Sequence, residues 1–223
     1  MTTLKRTLLW ETVWVTGLLL GVLHVLYSLR SVAWIQTYLT TIVAVLFLYV
    51  PVSVLSWRKR PIDFLDRNAN DFFRSFGWFA GTALLIFPLF FAAAHAWMLW
   101  VWGATHFQSA PFEKLASLSA YQLLMVALPE EFFFRGYLQS TLNCLWPKRW
   151  RILGAVVGPA WIITALVFAA AHSFVVWQWW HFSIFFPALV FGWLREKTGT
   201  LTAPILWHAL SNIFIDWFAR SYS

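Results

Sequence analysis

Apolar residues occupy this chain in long blocks, with polar and basic residues gathered between them. A membrane-spanning helix needs about 20 mostly apolar residues. Seven blocks are candidates: Leu8–Leu29, Thr37–Trp57, Phe76–Thr105, Leu118–Leu145, Ile152–Val176, Phe182–Leu194 and Leu201–Ala219. The sixth is short, and the third and fourth are long enough to tilt, bend or break. The pattern predicts an all-α fold, a polytopic transmembrane helical bundle of about seven spans (six to eight). It reads as a single membrane domain over residues 1–223, without internal repeats or low-complexity tracts. The polar stretch Arg58–Ser75 mixes Asp63, Asp66 and Asp71 with five basic residues and is long enough for a short interfacial helix.

Composition makes lipid the solvent. Hydrophobic residues are 61% of the 223 and charged ones only 11%, against about 25% charged in a soluble domain; the mean hydropathy is +0.67. Trp10, Trp57, Trp146, Trp150, Trp179 and Trp180 stand near block ends, at the headgroup level where an amphipathic ring is favoured. The net charge of +7 does not call for nucleic acid. Lys5, Arg6, Arg58, Lys59, Arg60, Arg67, Arg74, Lys148, Arg149, Arg151, Arg195 and Lys197 fall on one side of a seven-span topology, and only Arg30, Lys114 and Arg220 on the other. The positive-inside rule then puts the N-terminus in the cytoplasm and the C-terminus outside. The small, compact chain suggests a bacterial cytoplasmic (inner) membrane. Lys5 and Arg6 precede an apolar stretch too long for a cleaved signal peptide. The single cysteine, Cys144, rules out an intrachain disulfide or a thiolate metal cage.

An ionised group at mid-bilayer costs at least a few kcal/mol. The fourth block defies this with Pro129-Glu130-Glu131-Phe132-Phe133-Phe134-Arg135, whose charges must face a cavity or each other. Glu131 and Arg135 are four apart, share a helix face and can pair. Glu130 lies about 100° around the helix from Glu131, which leaves it free for chemistry. Pro129 donates no backbone hydrogen bond, so a kink that frees the carbonyl of Met125 is expected there. On other blocks, Phe168 and His172 share one helix face, as do His208 and Asn212, each pair at i, i+4. Lone histidines on apolar helices are usually packing residues; His24 and His95 read that way, and His106 and His181 read as interfacial. Asn212 is harder to explain in lipid unless its amide binds something. Glu130, His172, His208 and Asn212 together supply what peptide hydrolysis needs. A carboxylate and an imidazole can deprotonate water, and neutral donors can hold an oxyanion.

The order Glu130-Glu131-x-x-x-Arg135, Phe168-x-x-x-His172, His208-x-x-x-Asn212 closely resembles the CPBP family, the CAAX proteases and bacteriocin-processing enzymes also called Abi proteins. Phe191-Gly192-Trp193-Leu194-Arg195-Glu196-Lys197-Thr198-Gly199, leading to Pro204-Ile205-Leu206-Trp207-His208-Ala209, looks like the family's link into its last motif. The likeness covers about Leu118 to Phe214, so residues 118–215 would be the catalytic core and 1–117 N-terminal spans. It implies a helical membrane endopeptidase with a polar intramembrane catalytic cavity. The implied substrate is a membrane-anchored or lipid-modified protein or peptide, cut near its C-terminus. By that likeness Glu130 and His172 activate water, His208 and Asn212 form the oxyanion hole, and Glu131, Arg135 and Phe168 support them. The family's best-understood form is described as a glutamate protease, so no cofactor is expected. The residues themselves leave zinc open, with Glu130, His172 and His208 as ligands, although the usual His-Glu-x-x-His spacing is absent.

Two other classes compete. A non-catalytic immunity or scaffold protein would keep the fold, but nothing would then keep Asn212 polar in lipid. A transporter or proton channel would use Glu130, Glu131 and Arg135 as a relay, but inverted repeats are expected of it. Depth adds a constraint. A fifth span starting at Ile152 puts His172 about 30 Å along the helix, near the far surface. A clustered site therefore requires that span to start near Gly158-Pro159, with residues 147–157 as a cytoplasmic interfacial segment.

Overall fold

The computed structural model describes residues 2–111 and 115–222. Among the described residues seven helical rods follow the seven apolar blocks, and the all-α architecture is as expected. They are α1 (Thr3–Ser28), α2 (Ala33–Trp57), α3 (Ala69–Trp100), α4 (residues 115–145), α5 (Pro159–Val175), α6 (Phe185–Thr198) and α7 (Thr202–Arg220). By length and composition α1, α2 and α3 can each cross a membrane, and α5 is a shorter apolar helix. Their outer faces carry exposed apolar side chains such as Trp14, Leu18, Tyr49, Leu84, Leu85 and Leu89, the surface that lipid rather than water tolerates.

The rod α4 is the axis of the bundle and packs against α1, α2, α5, α6 and α7, while α3 lies on α6 and α7. Every residue from Glu131 to Gln139 is buried. Phe133, Phe134, Tyr137, Leu138 and Leu142 meet Phe47, Phe168, Phe191, Leu194 and Trp207 in one apolar core. The rod stays helical past Pro129 but widens on both sides of it. Residues Gln122–Ala127 and Phe132–Gln139 form π-helical turns, whose i→i+5 bonds take up extra residues and recur at functional sites. The proline is thus absorbed by widening, without a break in the helix.

One expectation is met and two need correction. The fifth block divides: Trp150–Ile152 (β1) and Ala155–Val157 (β2) pair antiparallel, and α5 begins only at Pro159, as a clustered site required. Leu153 and Gly154 both have positive φ, 47° and 78°, as a two-residue hairpin loop demands. The hairpin is held against α6, where Trp193 Nε1 donates to the carbonyl of Ile152 at 2.8 Å. Next, the stretch 58–68 forms no interfacial helix; α3 starts early, at Ala69, where the Asn68 side chain accepts from the Asp71 amide and caps it. Phe64 from that stretch is instead buried against Phe132, ring centroids 5.1 Å apart. Finally, the sixth helix starts later than Phe182, after a 3₁₀ turn over Trp179–Ile184, and ends at Gly199 in the left-handed conformation, φ 80°, that suits glycine.

Candidate active site

The charged residues of α4 point inward and are already organised by their own helix. Arg135 Nη1 donates to Glu131 Oε1 at 2.7 Å, with both side chains fully buried. Arg135 Nη2 donates to the carbonyl of Ala188 on α6 at 3.1 Å. Its guanidinium carbon also lies 4.4 Å over the Phe168 ring and 5.1 Å from that of Phe191, a stacking that a planar cation makes and an ammonium does not. Glu131 is therefore a paired, acceptor-only carboxylate. Glu130, one residue earlier, has no such partner. Its Oε2 is buried without a hydrogen bond among the described residues.

Two imidazoles come to Glu130 from other helices. His172 Nε2 on α5 is 4.0 Å and His208 Nε2 on α7 is 3.9 Å from Glu130 Oε2. Their other nitrogens fix the tautomers. His172 Nδ1 meets the Phe168 carbonyl at 2.8 Å, an oxygen that only accepts, so Nδ1 carries the proton and Nε2 offers a lone pair toward Glu130. His208 Nδ1 meets Glu131 Oε1 at 2.9 Å, so it too is the protonated nitrogen. An Nδ1–H held by a carboxylate fixes the orientation of the ring. His208 is further held by Phe191, which stacks on it at 5.1 Å with planes 11° apart, and by the edge of Phe168 at 5.7 Å. Side-chain exposure of 31% at His172, 16% at Glu130 and 5% at His208 sets the approach: the cluster opens on the His172 side and closes at His208.

Glu130, His172 and His208 are thus brought together, with Glu131, Arg135 and Phe168 beside them. Asn212 sits one turn beyond His208 on α7. It donates through Nδ2 to Gln122 Oε1 on α4 at 3.0 Å, and among the described residues it is not hydrogen-bonded to Glu130 or to either imidazole. Two neighbours were not singled out in the sequence, Gln122 and Ala188 (through its carbonyl); Phe191 stood there only in the link into the last motif, and His181 only as an interfacial residue. The His181 ring, in the 3₁₀ turn, lies 6.0 Å from that of His172. Burial, and then the nearby His172, push its protonation below the usual imidazole range. His24 and His95 pack as expected, His24 Nδ1 on the Phe174 carbonyl at 2.8 Å and His95 on the Tyr222 hydroxyl.

The residue types Glu130, His172 and His208 are ones that zinc uses. Tetrahedral zinc with bonds of about 2.0–2.1 Å sets neighbouring donors about 3.4 Å apart, and the pairs here are wider, at 3.9 and 4.0 Å. Among the described residues no group of three His, Cys, Asp or Glu side chains is spaced to hold a metal ion. The arrangement does not fit a closed zinc shell.

Residues 111–214 match the family model described as type II CAAX prenyl endopeptidase Rce1-like. The matched stretch contains all three motifs, bears out the resemblance drawn from them, and supports a membrane protease of this kind. No curated protein and no solved structure matches the chain.

Proposed function

We propose that this protein is an intramembrane endopeptidase that hydrolyses a membrane-anchored or lipid-modified protein near its C-terminus, using water activated by Glu130 and His172. The observation that carries the reading is the convergence of one unpartnered carboxylate oxygen and two oriented Nε2 atoms, at 3.9 and 4.0 Å, within an apolar bundle. Groups separated by that distance are too far apart to bond each other directly, and a water oxygen between Glu130 and either imidazole reaches both. Glu130 takes one proton from the water, with His172 Nε2 as its partner, and the hydroxide oxygen adds to the scissile carbonyl carbon. The C–N bond then breaks as the leaving nitrogen takes the proton held by Glu130, giving a carboxylic acid and an amine; the acid's proton passes to the amine, leaving a carboxylate and an ammonium.

The oxyanion of the tetrahedral intermediate is assigned to His208 and Asn212. With Nδ1–H already donated to Glu131, His208 Nε2 donates to an oxyanion only when the ring carries both protons. The substrate reading follows the family match, and its partners are then the anchored substrate and the bilayer. The small, compact chain suggests a bacterial inner membrane, and the charge asymmetry orients the N-terminus to the cytoplasm.

The test compares cells carrying the native protein with cells carrying Glu130→Gln, profiling the termini of membrane proteins by mass spectrometry. A defined precursor that stays uncut in the variant, at equal protein level, supports the proposal and its cut site names the substrate. Unchanged termini with an abundant, folded variant overturn it.

A further inference from the structure

Gln122 contributes to the site through Asn212, and the inference rests on the proteolytic reading above. Glu130 and Gln122 are eight residues apart, which on an unbroken α-helix turns their side chains about 80° from each other. The π-helical turn over Gln122–Ala127 intervenes. Taking up roughly one extra residue rotates the preceding part of the rod by about 100° in the opposite sense. The net offset is small, and Gln122 comes to the face that Glu130 presents to α7. There its Oε1 accepts from Asn212 Nδ2 at 3.0 Å. The rod packs on α7 through this same turn.

An asparagine amide needs such a partner. Its last torsion is broad and roughly two-fold, so an untethered amide presents its carbonyl to the substrate as readily as its nitrogen, and a carbonyl facing an oxyanion repels it. We infer that Gln122 is a positioning residue that fixes the plane of the Asn212 amide, leaving the second Nδ2 hydrogen available to the oxyanion. The widened turn of α4 is then part of the active site, because it delivers Gln122 to that face.

The experiment measures kcat and KM with a quenched-fluorescence peptide that spans the cut site found by the terminal profiling. Gln122→Met, close in shape and without the amide, is expected to lower kcat about tenfold with KM within about twofold of the parent. Gln122→Glu keeps an acceptor oxygen at the same reach and is expected to restore kcat to within about threefold. Asn212→Ala should lower kcat about 100-fold, and adding Gln122→Met to it should lower kcat no further. Where the Met variant does not accumulate, Gln122→Asn, too short to reach Asn212, replaces it. Parent-like kcat in Gln122→Met, or in Gln122→Asn where it replaces it, overturns the inference, and so does a full additional tenfold loss on the Asn212→Ala background. If Asn212→Ala and Glu130→Gln both turn over like the parent, or no cut site exists, the proteolytic reading itself has failed and the inference falls with it.

Discussion

Replacing Arg135 with leucine isolates the charge arithmetic of the site. Arg135 and Glu131 are fully buried and bonded at 2.7 Å, and Arg135 also donates to the Ala188 carbonyl. Arg135→Leu removes one member of a buried pair and leaves Glu131 uncompensated, which costs about 3–5 kcal/mol. The double variant Glu131→Leu/Arg135→Leu removes both charges. Exchanging a buried ion pair for apolar residues is neutral or stabilising by about 1–4 kcal/mol. It also leaves His208 Nδ1 without its partner, at about 1–3 kcal/mol, while the Ala188 carbonyl keeps its bond within α6. The two contributions nearly offset, so the double variant should unfold close to the parent and well above Arg135→Leu alone. Activity should separate from stability: without Glu131 nothing orients His208 Nδ1, and the double variant should be folded and inactive. The assay is thermal unfolding in detergent micelles, read beside cleavage of the accumulated precursor. An Arg135→Leu variant as stable as the parent, or a double variant less stable than it, refutes the reasoning.

Gly136 faces Phe64 so closely that an added Cβ would lie 2.7 Å from its Cε2. Gly136→Ala should lose about 1–3 kcal/mol through overpacking, seen as a lower unfolding midpoint that Phe64→Leu partly restores. Because His181 is held below the usual imidazole range, the unfolded chain binds more protons than the folded one as pH drops below about 6.5, and stability must fall with it. The unfolding midpoint should therefore decline on acidification, and less steeply in His181→Gln; equal slopes in the two proteins would contradict this. With Glu130 and the two imidazoles spaced wider than a zinc shell, prolonged dialysis against a chelator should leave precursor cleavage unchanged, and loss of activity reversed by added zinc would show the opposite.

Much of this arrangement is legible in the residues alone. Lipid-facing helices announce themselves because apolar side chains cover whole blocks. The site announces itself because Glu130, Glu131, Arg135, His172, His208 and Asn212 stand where lipid penalises them. The Glu131–Arg135 pair follows from i, i+4 spacing, and the late start of α5 follows from asking at what depth His172 must lie. What is not legible has a physical reason in each case. The wide turns of α4 leave no compositional mark, since i→i+5 bonding suits the same apolar residues as an α-helix, so an α-helical wheel misplaces Gln122. The hairpin hides because Ile152, Ala155, Val156 and Val157 merge with the apolar run that follows, and only Gly154 hints at a turn. His181 reads as interfacial because its neighbour His172 is nine residues away, across the end of α5.

The intrahelical ion pair also bears on how the protein is made. A lone charge at the centre of an inserting helix adds about 2.5–3.5 kcal/mol to its transfer into the membrane. Since Glu131 and Arg135 are four residues apart on one rod, α4 brings its own counter-ion and needs no other helix to neutralise them. His208, on a helix that leaves the ribosome later, meets a carboxylate already aimed and already balanced. The carboxylate that α7 meets is thus oriented by a residue of α4, which precedes α7 in the chain.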